Sequence, residues 1–130
     1  MHAPLPPSPP IAAYLDIRTA RRPAWAPDGA GLAYLSDESG FAQIWSLPTE
    51  GGAPRRLTFT EEPVASFAYD PAGRRIVFLM DCGGDERFQL LLLDPATGAV
   101  DALTEDPTVC HVWGAWSPDG TAITYASNAR

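Results

Sequence analysis

The stretch Trp116-Ser117-Pro118-Asp119-Gly120-Thr121-Ala122-Ile123-Thr124-Tyr125 carries an arrangement that the chain uses three times. Earlier copies are Trp25-Ala26-Pro27-Asp28-Gly29 followed by Leu32-Ala33-Tyr34-Leu35, and Tyr69-Asp70-Pro71-Ala72-Gly73 followed by Ile76-Val77-Phe78-Leu79. In each copy an apolar run bearing an aromatic residue enters a tight turn and a second apolar run leaves it. Proline presets the first corner of a type I turn and glycine takes the left-handed position that closes it, so each copy predicts a β-hairpin.

Working outward, each hairpin is followed by two further strand-like runs. The first unit predicts strands at 23–26, 32–36, 43–47 and 55–59, and the second at 64–69, 75–80, 88–93 and 99–103. Gly29 and Gly73 are 44 residues apart, Gly73 and Gly120 are 47 apart, and Gln43 through Thr58 aligns without a gap on Gln89 through Thr104. A four-stranded unit of this length is the period of a β-propeller blade. The runs Ile76-Val77-Phe78-Leu79 and Leu90-Leu91-Leu92-Leu93 are apolar at consecutive positions. That pattern suits strands covered on both faces, as the middle strands of a blade stacked between two others are.

The expected fold is therefore all-β, a partial propeller of about two and a half four-stranded antiparallel blades. Its divisions are a proline-rich tail at 1–10, a lead-in at 11–22, blade one at 23–60, blade two at 61–106, and the first half of blade three at 107–130. Residues 11–17 fit a short helix or a strand, with a lean to helix. Propellers close with at least about four blades, so the expectation is a piece of a longer protein, with self-association through the open blade edge as a further possibility.

Composition sets outer limits. The chain has 130 residues, is 45% hydrophobic and carries a net charge of −7 from 16 acids and nine arginines, with no lysine. This balance excludes a phosphate-backbone surface, so nucleic acid is not an expected partner. No run is long and apolar enough for a membrane-spanning helix and the N-terminus lacks a secretory layout, so the expected location is cytoplasmic. Cys82 and Cys110 fall at non-equivalent points of the repeat and read as thiols rather than a disulfide.

Sorting loops by the alternation of strand direction gathers Asp37, Glu38, Glu61, Glu62, Asp81, Asp85, Glu86, Glu105 and Asp106 at one end of the blades, opposed there only by Arg87. A one-signed face of this kind focuses negative potential and would attract a cationic ligand end; the simpler reading is that solvated loops are acidic. The run Asp81 to Glu86 matches no calcium loop and reads as a glycine-bent turn, so no metal and no cofactor is expected. His111 reads as a strand-start residue bonded to backbone. Trp25, Tyr69 and Trp116, at equivalent positions, read as packing between blades.

The segment Asp81-Cys82-Gly83-Gly84-Asp85-Glu86-Arg87-Phe88-Gln89-Leu90, together with Trp116-Ser117-Pro118-Asp119-Gly120 leading to Tyr125-Ala126-Ser127-Asn128-Ala129-Arg130, resembles the N-terminal propeller of the prolyl oligopeptidase family of serine peptidases. The Pro-Asp-Gly hairpin is shared with TolB-like propellers, which leaves a protein-interaction propeller without a peptidase domain as the alternative. The peptidase resemblance implies an α/β-hydrolase domain elsewhere in the parent protein, peptide substrates, and a gating role for the propeller. It implies no catalytic residue in this chain, which contains no Gly-x-Ser-x-Gly elbow.

Overall fold

The computed structural model describes residues 18–130, so the lead-in reading for 11–17 lies outside the described residues. Ten strands follow one another without a helix among them. They are β1 (Ala20–Trp25), β2 (Gly31–Ser36), β3 (Gln43–Pro48), β4 (Arg55–Arg56), β5 (Val64–Tyr69), β6 (Ile76–Met80), β7 (Gln89–Leu93), β8 (Val100–Ala102), β9 (His111–Trp116) and β10 (Ile123–Ser127). They form two four-stranded meanders, β1-β2-β3-β4 and β5-β6-β7-β8, and a two-stranded sheet of β9 and β10. All pairs are antiparallel.

The three repeated turns have one geometry. Gly29, Gly73 and Gly120 have φ of 72°, 71° and 69°, and each donates its N–H to the carbonyl three residues earlier, on Ala26, Asp70 and Ser117. Only glycine adopts that backbone without strain, which is why the Pro-x-Gly order recurs.

Two apolar seams hold the sheets face to face. In the first, Ala33, Leu35 and Ile44 of one sheet meet Val64, Ile76, Phe78 and Leu93 of the next. In the second, Val77, Leu79 and Leu90 pack against Trp113, Trp116 and Ile123. The middle sheet thus buries both faces, and Ile76, Val77, Phe78 and Leu79 are all buried in consecutive order. Each fully buried side chain of this size contributes roughly 1.5–3 kcal/mol, so the seams are the main source of cohesion.

The structure departs from the sequence expectations in three places. The fourth strand of the first sheet stops at Arg56 instead of reaching Phe59. Leu57 and Thr58 both direct their N–H groups to the Ile44 carbonyl, and the Thr58 hydroxyl accepts the Ile44 N–H. A side chain takes over where the ladder would have continued. Leu103, Thr104 and Leu90 repeat this arrangement in the second sheet.

The second departure is at the inner strand. β1 begins at Ala20, and its register shifts between Arg21 and Ala24, where Arg22 has φ of 53°. A bulge admits one unpaired residue and bends the strand, which period-2 patterning does not reveal. Third, Tyr69 and Trp116 pack in the seams as expected, but Trp25 is 65% exposed, because no sheet precedes the first one among the described residues.

Candidate functional site

The strand registers place four loops at one end of the sheets. Ser36 pairs with Gln43 and Met80 with Gln89, so the β2–β3 and β6–β7 loops leave at that end. Val64 pairs with Met80, which brings the β4–β5 loop to the same end. The β8–β9 loop joins them, since the His111 N–H donates to the Phe88 carbonyl as the Val64 N–H does to that of Ala42. All nine acidic residues singled out in the sequence lie on these four loops.

Two buried or half-buried glutamines fasten the loops in pairs. Gln43, fully buried, donates from Nε2 to the Thr60 hydroxyl at 2.9 Å and its Oε1 accepts from the Thr60 N–H. Gln89 does the same work one repeat later, donating to the carbonyls of Val109 and Asp106. Adjacent loops are therefore held in fixed relation, and the acids they carry are presented by a braced surface.

The nine carboxylates divide into two kinds. Asp37 accepts the Thr19 N–H at 2.7 Å, Asp81 the Glu86 N–H at 3.0 Å, Asp85 the Arg87 N–H at 2.9 Å, and Asp106 both the N–H and the hydroxyl of Thr108. The Thr19 N–H bond holds Asp37 below the usual carboxylate range. The Thr108 hydroxyl and then its N–H do so for Asp106, with a smaller contribution from His111. Asp81, Asp85 and Asp106 shape their own loops in this way, whereas Asp37 ties its loop to the segment before β1.

The glutamates are placed differently. Glu38, Glu61, Glu86 and Glu105 are exposed and Glu62 is half-buried, so their charge faces water. Arg87 donates to the Pro107 carbonyl along the rim, and it is not alone as the sequence reading had it, because Arg18 lies close enough to Asp37 to contribute, after the Thr19 bond, to lowering its pKa. No group of three or more His, Cys, Asp or Glu suited to a metal ion occurs among the described residues. Cys82 and Cys110 are both free thiols.

Sequence reasoning missed one feature of this end. His111 opens β9 and is only 6% exposed, but neither ring nitrogen has a hydrogen-bond partner among the described residues. The expectation of a side chain bonded to backbone is corrected: only the main-chain N–H of His111 makes such a bond, and the ring packs edge-on against Tyr125 at 5.4 Å between centroids. The aligned position one repeat earlier holds Val64, fully buried in the first seam. That mismatch between repeats was the available signal.

Two four-stranded meanders stacked through apolar seams, each opened by the same Pro-x-Gly turn, are propeller blades. A family model described as the TolB beta propeller domain matches residues 15–130. The chain belongs to this family. Among curated proteins, the propeller is 38% identical to an uncharacterized peptidase, YuxL, of Bacillus subtilis over 65 residues, covering 49% of this chain and 10% of that protein.

It is 29% identical to dipeptidyl aminopeptidase BIII of Pseudoxanthomonas mexicana over 108 residues, covering 81% of this chain and 16% of that one. Among solved structures, TolB of Acinetobacter baumannii superimposes with a TM-score of 0.57 at 22% identity, covering 80% of this chain and 30% of that one. The last likeness concerns the fold alone. The propeller spans between a tenth and a sixth of the length of these peptidase relatives, and its sequence is related to peptidase propellers as the motifs implied.

Proposed function

We propose that this chain is the noncatalytic propeller portion of a prolyl oligopeptidase-type serine peptidase, and that in the parent protein it gates and selects peptide substrates for an α/β-hydrolase domain. The observation that carries this reading is the alignment with a dipeptidyl aminopeptidase over 81% of the chain. The loop end supplies the selection. Four exposed glutamates and the half-buried Glu62 stand there beside four aspartates, of which Asp37 and Asp106 are held below the usual carboxylate range by hydrogen bonds. Such a face raises the local concentration of a ligand's cationic end.

The experiment is charge neutralisation in the complete peptidase. Glu61→Gln with Glu62→Gln raises KM for peptides with a free amino terminus by roughly twofold to threefold at low ionic strength, with little effect on N-acetylated peptides, and the difference fades as salt is added. Equal KM values for both substrate types at low salt, before and after substitution, would remove the selecting role. Failure of the complete protein to react with a serine-hydrolase label would remove the peptidase reading itself and favour a TolB-like interaction propeller.

A further inference from the structure

The two seams between blades differ at one place, close to the repeated turns and at the opposite end from the acidic loops. In the second seam Arg75 fills it. Its guanidinium lies over the Trp116 ring, 6.0 Å from the centroid, and donates to the Gly120 carbonyl, leaving a cavity of about 120 Å³. In the first seam Gly31 aligns with Arg75 and Tyr69 with Trp116. A Cβ on Gly31 would meet the Leu47 carbonyl oxygen at 2.8 Å, and beside this glycine stands a cavity of about 330 Å³, lined by Gly31, Leu47, Pro48, Ala53, Arg55 and Tyr69.

The polar groups at this cavity are few and chemically distinct. Arg55 comes from the edge strand β4, and one terminal nitrogen donates to the Pro95 carbonyl at 2.9 Å. That bond anchors the guanidinium across the seam and leaves its other N–H donors without a protein partner among the described residues. Tyr69 is half-buried against the core; burial and then the charge of Asp28 hold its phenol up in the neutral form, while Arg55 acts in the opposite direction. Asp28 itself accepts the Ala30 N–H at 2.9 Å. In the second seam Asp101 aligns with Arg55, so the preceding sheet supplies the cation in both seams, from its edge strand in the first and from the turn before β6 in the second.

We propose that the first seam is a binding site for a small carboxylate with a short apolar body, its carboxylate received by Arg55 and its body lying along Leu47, Pro48 and Ala53. An arginine fork matches a carboxylate in shape and charge, and a concave, mainly apolar site of this volume with a few placed polar groups is what side-chain-sized ligands fill. The site lies between two blades that are both complete in this chain, so it does not depend on the function proposed above.

The test uses N-acetyl-leucine as the probe and its neutral amide as the control, titrated into the chain and followed by amide chemical shifts. Saturable shifts at Gly31, Ala53 and Tyr69 with the acid, at least fivefold weaker with the amide, support the proposal. Arg55→Gln abolishes the preference for the acid while leaving the remaining spectrum in place, since Arg55 is exposed and its side chain bonds to one carbonyl. Equal binding of acid and amide, or saturation that survives Arg55→Gln, overturns it, as does the absence of any saturable shift. Should Arg55→Gln disturb the fold, Tyr69→Phe, which keeps the ring and removes only the hydroxyl donor, is expected to weaken acid binding by twofold or more.

Discussion

Pro27 of the first turn rests on Gly73 of the second, its Cδ 3.0 Å from where a Cβ on Gly73 would stand. Pro71 approaches Gly120 in the same way, its Cδ 3.4 Å from the corresponding point. Each turn therefore seats its proline on the glycine of the next blade, and the glycine is required twice over, by its backbone angle and by its neighbour.

Gly29 separates these two requirements, since it has the same φ and nothing within 4 Å of a built Cβ. Gly29→Ala should lower unfolding free energy by about 1–2 kcal/mol, the cost of a left-handed alanine. Gly73→Ala should cost more by about 1 kcal/mol, because the proline ring must also move. Urea denaturation of the two variants checks the difference; equal losses would mean that the contact between turns contributes nothing.

Asp70 occupies the turn position that Ser117 holds in the third unit. Its Oδ1 accepts the N–H groups of Arg74 and Arg75 at 2.7 and 3.0 Å, much as the Ser117 hydroxyl accepts the Ala122 N–H. Its Oδ2 is buried without a partner. Asp70→Ser keeps an acceptor and removes the orphaned oxygen, so stability should be unchanged or higher. Asp70→Ala leaves two main-chain donors unpaired and should cost about 1–3 kcal/mol. Thermal unfolding of both variants gives the order, and a serine variant less stable than the alanine one would contradict this account.

The turns and the doubly buried strand β6 were legible because glycine angle and consecutive apolar residues are local signals. Other features depend on neighbours that no window contains. The end of β4 is set by the Thr58 hydroxyl reaching Ile44 fourteen residues away. The direction of the acids is similar: Asp85 and Asp106 turn to amides two residues on, whereas Glu61 and Glu105 do not, and a count of loop charge treats them alike. Gly31 in alignment with Arg75 was visible from the repeats, but only the packing shows the Leu47 carbonyl oxygen standing 2.8 Å from where a Cβ on Gly31 would be.

Asp119 should titrate well below an ordinary aspartate. Hydrogen bonds from the Ser117 hydroxyl first, then from the Thr121 N–H and hydroxyl, lower its pKa from 3.8 to about 2. A carboxyl whose folded value is depressed stabilises the fold above its unfolded pKa and loses that contribution as pH falls through the folded one. The window here runs from about 4 down to about 2. Carbon-detected titration of the carboxyl groups checks the value, and Ser117→Ala, which removes the leading cause, should return Asp119 toward 3.8. An unchanged titration in that variant would assign the shift to Thr121 instead.

His111 and Val64 begin the inner strands of successive blades, and each donates its N–H to the preceding blade's loop. Val64 is fully buried and apolar, whereas His111 buries a ring whose two nitrogens find no partner among the described residues. An imidazole in that position loses its hydration without replacement, a cost of about 1–3 kcal/mol, partly offset by the edge-on contact with Tyr125. His111→Val, which copies the earlier repeat, should therefore raise the unfolding free energy by about 1 kcal/mol. Chemical denaturation at neutral pH measures the change. A loss of stability would mean that the ring's contact with Tyr125 outweighs its desolvation, and Tyr125→Leu in the histidine background would then reproduce much of that loss.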